Sequence, residues 1–142
     1  MRALLDINVL IALLDSDHAS HHVALQWFAE NAGIGWSSCP ITQNGCVRIM
    51  SQPGYPNAHA VHEVVERLRE ATTATVHNFW PDDVSVLDAQ LIDSTRVHGP
   101  RQLTDVYLLA LAVKHGGRLV TFDQSIARKA VRGASAAQLV VL

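Results

Sequence analysis

"QLTDVYLLALAVKHGGRLVTFDQSIARKAV", residues 102–131, sets the fold class. Its first half is apolar nearly all round, opens at Thr104 and closes at Gly116-Gly117, the pattern of a buried helix with a glycine C-cap. Its second half begins with "RLVTF" (118–122), a short continuous apolar run of strand type, and then returns to helix. A buried helix feeding a strand with no polar face predicts a parallel sheet covered on both sides.

Outward from this segment the same alternation recurs. At the start of the chain "RALL" (2–5) reads as a strand and "NVLIALLD" (8–15) as a helix after a tight turn at Asp6. "SDHASHHVALQWFAEN" (16–31) predicts a helix with Val23, Leu25, Trp27 and Phe28 as its apolar stripe, broken by Gly33 and Gly35. "IGWSS" (34–38) is a second strand, and "PITQNGCVRIMS" (40–51) a helix started by Pro40 and Thr42. The loop "QPGYPN" (52–57) precedes an amphipathic helix, "AHAVHEVVERLREAT" (58–72). "ATVHNFW" (74–80) is a third strand stopped by Pro81, "DVSVLDAQLIDSTRVHG" (83–99) is read as helical, and "AQLVVL" (137–142) closes the chain as a last strand. With no internal repeat or linker, the expectation is one α/β domain spanning residues 1–142. Trp27, Trp36 and Trp80 belong to its core.

Composition restricts the function. At 142 residues the chain can bury roughly two-thirds of its unfolded surface. Apolar residues make up 49% and charged residues 17%, ordinary for a globular domain. A formal charge of -2 excludes a generally basic protein that coats nucleic acid, while a local patch stays open. Cys39 and Cys46 have neither metal-site spacing nor the density of a disulfide scaffold, so two reduced thiols in a cytoplasmic protein are expected. The opening run is interrupted by Asp6, Asn8 and Asp15 and lacks a cleavage site, so it reads as core rather than as a signal peptide. No segment approaches the length of a membrane span.

Three carboxylates acquire positions from these elements. Asp6 directly follows the first strand and Asp123 directly follows "RLVTF", so both belong at the carboxyl edge of one sheet, where open α/β folds bind ligands. Asp105 lies in the first turn of the helix opened by Thr104, and helices covering such a sheet start near that edge. A cap explains Asp105 alone, and a strand-to-helix turn explains Asp123 alone. Asp6 is harder to explain structurally, since a strand so apolar gains nothing from a charge. Three carboxylates at one rim repel unless protons or a cation intervene, and oxygen ligands suit Mg²⁺ or Mn²⁺.

"LLDINVLIALL" (4–14), "LTDVYLLALAVKHGG" (103–117) and "RLVTFDQS" (118–125), in this order and spacing, resemble the PIN-domain nucleases, and most closely the VapC toxins of bacterial toxin–antitoxin pairs. "CPITQNGCVRIMSQPGYP" (39–56) fits as well, with its Thr-started helix and Arg48. The resemblance implies a single PIN-like domain with a parallel five-stranded sheet flanked by helices, and a metal-dependent endoribonuclease. It also implies a homodimer, an RNA substrate and a cognate antitoxin protein. Its acidic site maps onto Asp6, Asp105 and Asp123 as catalytic and Mg²⁺-holding residues. One position departs: where many relatives have a glutamate, this chain has Gln43 and Asn44, neutral amides whose oxygens can still meet a metal or its water. Weaker Mg²⁺ binding, or better service from Mn²⁺, is the expectation, and loss of activity in a protein that only binds RNA or an antitoxin is the alternative.

Lesser features are assigned as follows. Arg48 is a candidate for reaching RNA or the acids. His18, His21 and His22 share a helix face that can hold a transition metal, but a solvated helix start explains them better. Arg128, Lys129 and Arg132 read as a solvated face rather than as phosphate contacts. A dehalogenase-type phosphatase needs an acid at Asn8, and a receiver domain needs paired acids before Asp6; neither fits.

Overall fold

The computed structural model describes residues 1–142. Five parallel strands, β1 (Ala3–Leu5), β2 (Trp36–Ser38), β3 (His77–Phe79), β4 (Arg118–Thr121) and β5 (Leu139–Val141), form one sheet in the order β3-β2-β1-β4-β5. The register pairs Ala3 with Trp36 and Arg118, and Thr121 with Val141. The helices α1 (Ile7–Leu14), α2 (His21–Asn31), α3 (Pro40–Met50) and α4 (Val61–Ala74) pack with one another, and α5 (Leu103–Lys114) stands apart from them. Alternate residues of a strand face opposite sides, so β1 and β4 each serve two cores. Leu4 and Leu119 join Leu108, Leu109, Leu111 and Trp80 beneath α5. Leu5 and Val120 join Val9, Leu10, Cys46, Met50 and Leu68 beneath α1, α3 and α4. The fold is thus the expected α/β domain with a parallel five-stranded sheet flanked by helices, and Trp36 and Trp80 are buried.

Local chemistry explains the boundaries. Pro40 occupies the first turn of α3, where its missing N–H costs nothing, and the Thr42 hydroxyl accepts from the Cys39 N–H at 3.0 Å in a reciprocal cap. α5 ends in a Schellman motif: Gly116 has φ +66°, its N–H meets the Val113 carbonyl, and the Gly117 N–H meets that of Ala112 at 2.8 Å. A Cβ on Gly117 would lie 2.6 Å from the Arg2 carbonyl oxygen and 2.7 Å from the Trp80 ring. Glycine there lets Trp80 close the core beneath the start of β4.

Three expected helical features are not found. Residues 83–99 form no α-helix; they run as turns with one 3₁₀ turn, Ser94–Arg96, and a bridge from Ile92 to Val131. The cause is local competition for backbone N–H groups. The Ser85 hydroxyl takes the Leu87 N–H, the Asp88 carboxylate that of Gln90, and the Asp93 carboxylate that of Thr95. The chain after β4 likewise holds only the 3₁₀ turn Arg128–Ala130, because its backbone pairs with that segment: Asp93 N–H to Ala130 O and Arg132 N–H to Leu91 O, both 2.8 Å. The start of "SDHASHHVALQWFAEN" is given to turns, with Asp15 taking the Asp17 N–H and the His18 ring taking that of Ser20, so α2 begins at His21. Its inward face carries Ala24, Trp27 and Phe28, whereas Val23 and Leu25 are exposed.

Candidate active site

Asp6 caps α1 at the carboxyl end of β1. Its Oδ1 accepts the Ile7 N–H at 2.7 Å and its Oδ2 accepts the Thr121 hydroxyl at 2.7 Å. The residue is only 5% exposed. Burial pushes its carboxyl above the usual range, the two hydrogen bonds oppose that push, and the nearby Asp123 charge adds to it. Thr121, the last residue of β4, is fully buried and also accepts the Asp123 N–H at 3.0 Å through its hydroxyl. One hydroxyl therefore ties the ends of β1 and β4 together. The sequence reading missed this residue, although a Thr two places before an Asp at a strand end was its visible signal.

Asp123 begins the turn after β4. Its Oδ1 accepts both the N–H and the hydroxyl of Ser125, at 2.7 and 2.6 Å, and these bonds hold its carboxyl below the usual range. Asp105 sits in the first turn of α5. Burial, the charges of Asp6 and Asp123, and a proton shared with Asp123 raise its carboxyl to about 6. The three acids, from three separate elements, thus act on each other electrostatically at one end of the sheet.

As the side chains stand, no three His, Cys, Asp or Glu groups are close enough together to hold a metal ion. Both oxygens of Asp6 and one of Asp123 are engaged by protein donors. The donor set still fits a hard cation, being carboxylates flanked by hydroxyls with no thiolate or imidazole, and Mg²⁺ commonly takes only one or two carboxylates and keeps several waters. His18, His21 and His22 form no such set; His21 Nδ1 bonds the Ala12 carbonyl at 2.7 Å.

No hydrogen bond links the amides at the departing position to the acids. Gln43 donates through Nε2 to the Ser38 hydroxyl at 2.9 Å, and that hydroxyl bonds His77 Nε2 at 2.8 Å. Desolvation lowers the pKa of His77 and favours its neutral ring, with Arg2 adding to the effect. The neutral ring meets Ser38 in either tautomer, accepting its proton at Nε2 or donating an Nε2–H to its oxygen. Asn44 and Arg48 lie four apart on the exposed side of α3, and no hydrogen bond or ion pair links Arg48 to the acids.

The PIN domain family model matches residues 3–132. The chain belongs to the PIN-domain family. Ribonuclease VapC44 of Mycobacterium tuberculosis is 54% identical to it over 142 residues, all of both chains. Ribonuclease VapC39 of the same organism is 41% identical over 134 residues, 94% of this chain and 96% of that one. Among solved structures, VapBC2 from Rickettsia felis bound to a DNA fragment from its promoter matches with a TM-score of 0.57 at 11% identity, covering 100% of this chain and 98% of the other. That likeness carries the fold of this PIN-domain chain. No helix of it is long and apolar enough to cross a membrane.

Proposed function

We propose that this chain is a Mg²⁺-dependent endoribonuclease, the toxin of a toxin–antitoxin pair, and that Asp6, Asp105 and Asp123 are its catalytic, metal-holding residues. The observation that carries the reading is the gathering of three acids at the sheet edge, where burial first, and then the charges of Asp6 and Asp123, raise Asp105 to about 6. A cluster that raises its own acid is costly to the free protein and is relieved when a cation neutralises it. The names of the relatives, ribonuclease VapC44 and VapC39, support RNA as the substrate.

A divalent ion bound there supplies charge neutralisation for the phosphodiester and ionisation of a water near neutrality. Asp6 contributes a carboxylate fixed in direction by Thr121 and Ile7. Asp123 contributes one held by the Ser125 turn. Asp105 is the acid whose proton must leave for the site to charge fully, so loading and proton release are coupled through it. Attack by water leaves a 5′-phosphate and a 3′-hydroxyl. A homodimer and a cognate antitoxin complete the reading.

Gln43 favours a second one, a PIN-fold protein that binds RNA or an antitoxin without cutting, because it brings no charge to a cation and its Nε2 is held by Ser38. Purified protein incubated with total RNA and Mg²⁺, Mn²⁺ or EDTA, beside Asp105→Asn, separates the two. Metal-dependent cutting lost in the variant supports the nuclease. A folded protein that cuts under no metal leaves the binding protein.

A further inference from the structure

A cleft of about 560 Å³ opens directly beside the acids, lined by Arg96, His98, Gln102, Arg128 and Lys129, with Ser125 at its near end. Ser125 is the residue whose hydroxyl bonds Asp123, and Gln102 is the N-cap of α5, three residues before Asp105. The cleft therefore continues the acidic rim between the β4 turn and the start of α5. No Asp or Glu lines it. The one carboxylate bound to its cations, Asp93, is shared by Arg96 Nε at 3.3 Å and Arg132 Nη2 at 3.6 Å, leaving positive charge in excess. Arg128 donates to the Ala134 carbonyl at 2.7 Å, which orients the guanidinium without neutralising it, and Lys129 has no ionic partner. The Gln102 carbonyl is taken by the His98 N–H at 3.0 Å, which turns its amide group free to donate. This arrangement sits in a chain whose formal charge is -2, so it does not follow from a basic composition.

We infer that this cleft carries the sugar–phosphate backbone of single-stranded RNA away from the scissile bond, with Arg96, Arg128 and Lys129 meeting successive phosphates and Gln102 donating to a backbone oxygen. Cationic grooves that track a strand bind through phosphate neutralisation, which positions the strand without reading its bases. The irregular course of residues 83–99 has a consequence here: a helix over that segment would not carry Arg96 to the Arg128–Ala130 turn, whereas the backbone pairing across Ile92 and Val131 does. The inference rests on the ribonuclease reading.

The test is binding of a fluorescent single-stranded RNA in EDTA across a KCl series, with Arg96→Gln/Lys129→Gln, the same pair plus Arg128→Gln, and Arg67→Gln on α4 as the charge control. Each lost phosphate contact lowers the slope of log K against log salt by about 0.7 for a single strand, so the double variant should lose about 1.4 and the triple about 2. Affinity at about 0.1 M salt should fall tenfold or more in the triple, and kcat/KM for a long RNA should fall more than that for a dinucleotide. Arg128 holds a backbone carbonyl, so the double variant, with both changes at exposed residues, keeps the test valid if the triple folds poorly. An unchanged slope and affinity in the double variant, or an equal loss in Arg67→Gln, overturns the inference. So does loss of binding to an acidic peptide with RNA binding intact, which assigns the cleft to a protein partner. Failure of the ribonuclease reading shows separately, as no metal-dependent cutting by the wild-type protein.

Discussion

Replacing Asp105 by Asn should stabilise the metal-free protein near neutrality while removing its activity. The carboxyl is raised from 3.8 to about 6 in the folded chain. Folding therefore favours the protonated acid: the contribution of Asp105 to stability is fully present below the unfolded value and is lost as pH rises through about 6. At about 1.36 kcal/mol per pKa unit the ceiling of the penalty at pH 8 is ~3 kcal/mol. Asp105 is only half-buried, so solvent screening reduces this to roughly 1–2 kcal/mol. Asn also forfeits a favourable helix-dipole contribution of about 0.3–1 kcal/mol in the first turn of α5. The net gain for Asp105→Asn is ~1 kcal/mol, about 3 °C in Tm for a chain of this size. Urea unfolding in EDTA at pH 8 should show it, and at pH 4.5, where the folded wild type is protonated, the gain should disappear. In saturating Mg²⁺ the order should reverse, because ligand at a hundred times its Kd stabilises the wild type by about 2.7 kcal/mol. A variant no more stable than wild type at pH 8 in EDTA refutes the reasoning, since burial and the neighbouring acids would then not be penalising the Asp105 carboxylate.

Three further changes follow from named contacts. Thr121→Val keeps the shape but removes the hydroxyl shared by Asp6 and the Asp123 N–H, and should lower kcat about 10–100-fold with circular dichroism unchanged. Gln43→Glu should lower the Mg²⁺ concentration for half-maximal RNA cleavage; an unchanged or higher value shows that position 43 does not face the cation. Tyr55→Phe removes the hydroxyl that chiefly holds Asp15 below the usual carboxylate range. That bond adds stability above the unfolded carboxylate value and loses it as pH falls through the lower folded value, so the variant should cost about 1 kcal/mol at pH 7 and converge with wild type in acid, as followed by urea unfolding across pH.

The strands that place two of the acids were legible because each is an apolar run that ends at or just before a single charge. "RALL" ends at Asp6 and "RLVT" ends two residues before Asp123, and no helix pattern competes with either. α5 was legible as well, being apolar on every face and closed by two glycines. Residues 83–99 misled because Val84, Leu87, Leu91 and Ile92 recur at helical intervals while Ser85, Asp88 and Asp93 turn back onto the backbone; periodicity counts the first set and is blind to the second. In α2 the run of apolar residues at 23–25 hid which of them faces inward, and only packing against α1 selects Ala24. Gln43 was visible as a departure, but its partner was not, since Ser38 and His77 become its neighbours only when β2 and β3 pair.

The Gln43 contact bears on how the charge of the site is balanced. Asp105 is already raised to about 6 with two acids beside it, and a fourth carboxylate facing the same rim would raise it further in the metal-free protein. A neutral amide avoids that repulsion, and it donates to Ser38 where a glutamate carboxylate could only accept. With glutamate at 43, Ser38 would turn its proton to the carboxylate, and His77 would keep its bond to Ser38 as the neutral tautomer that donates from Nε2. A glutamate at 43 would therefore fix the direction of the Ser38 hydroxyl and the tautomer of His77, both of which Gln43 leaves open. Charge sets the direction of the metal prediction: Gln43→Glu adds a carboxylate to the acidic rim, so tighter Mg²⁺ binding should come with lower stability in EDTA near neutral pH.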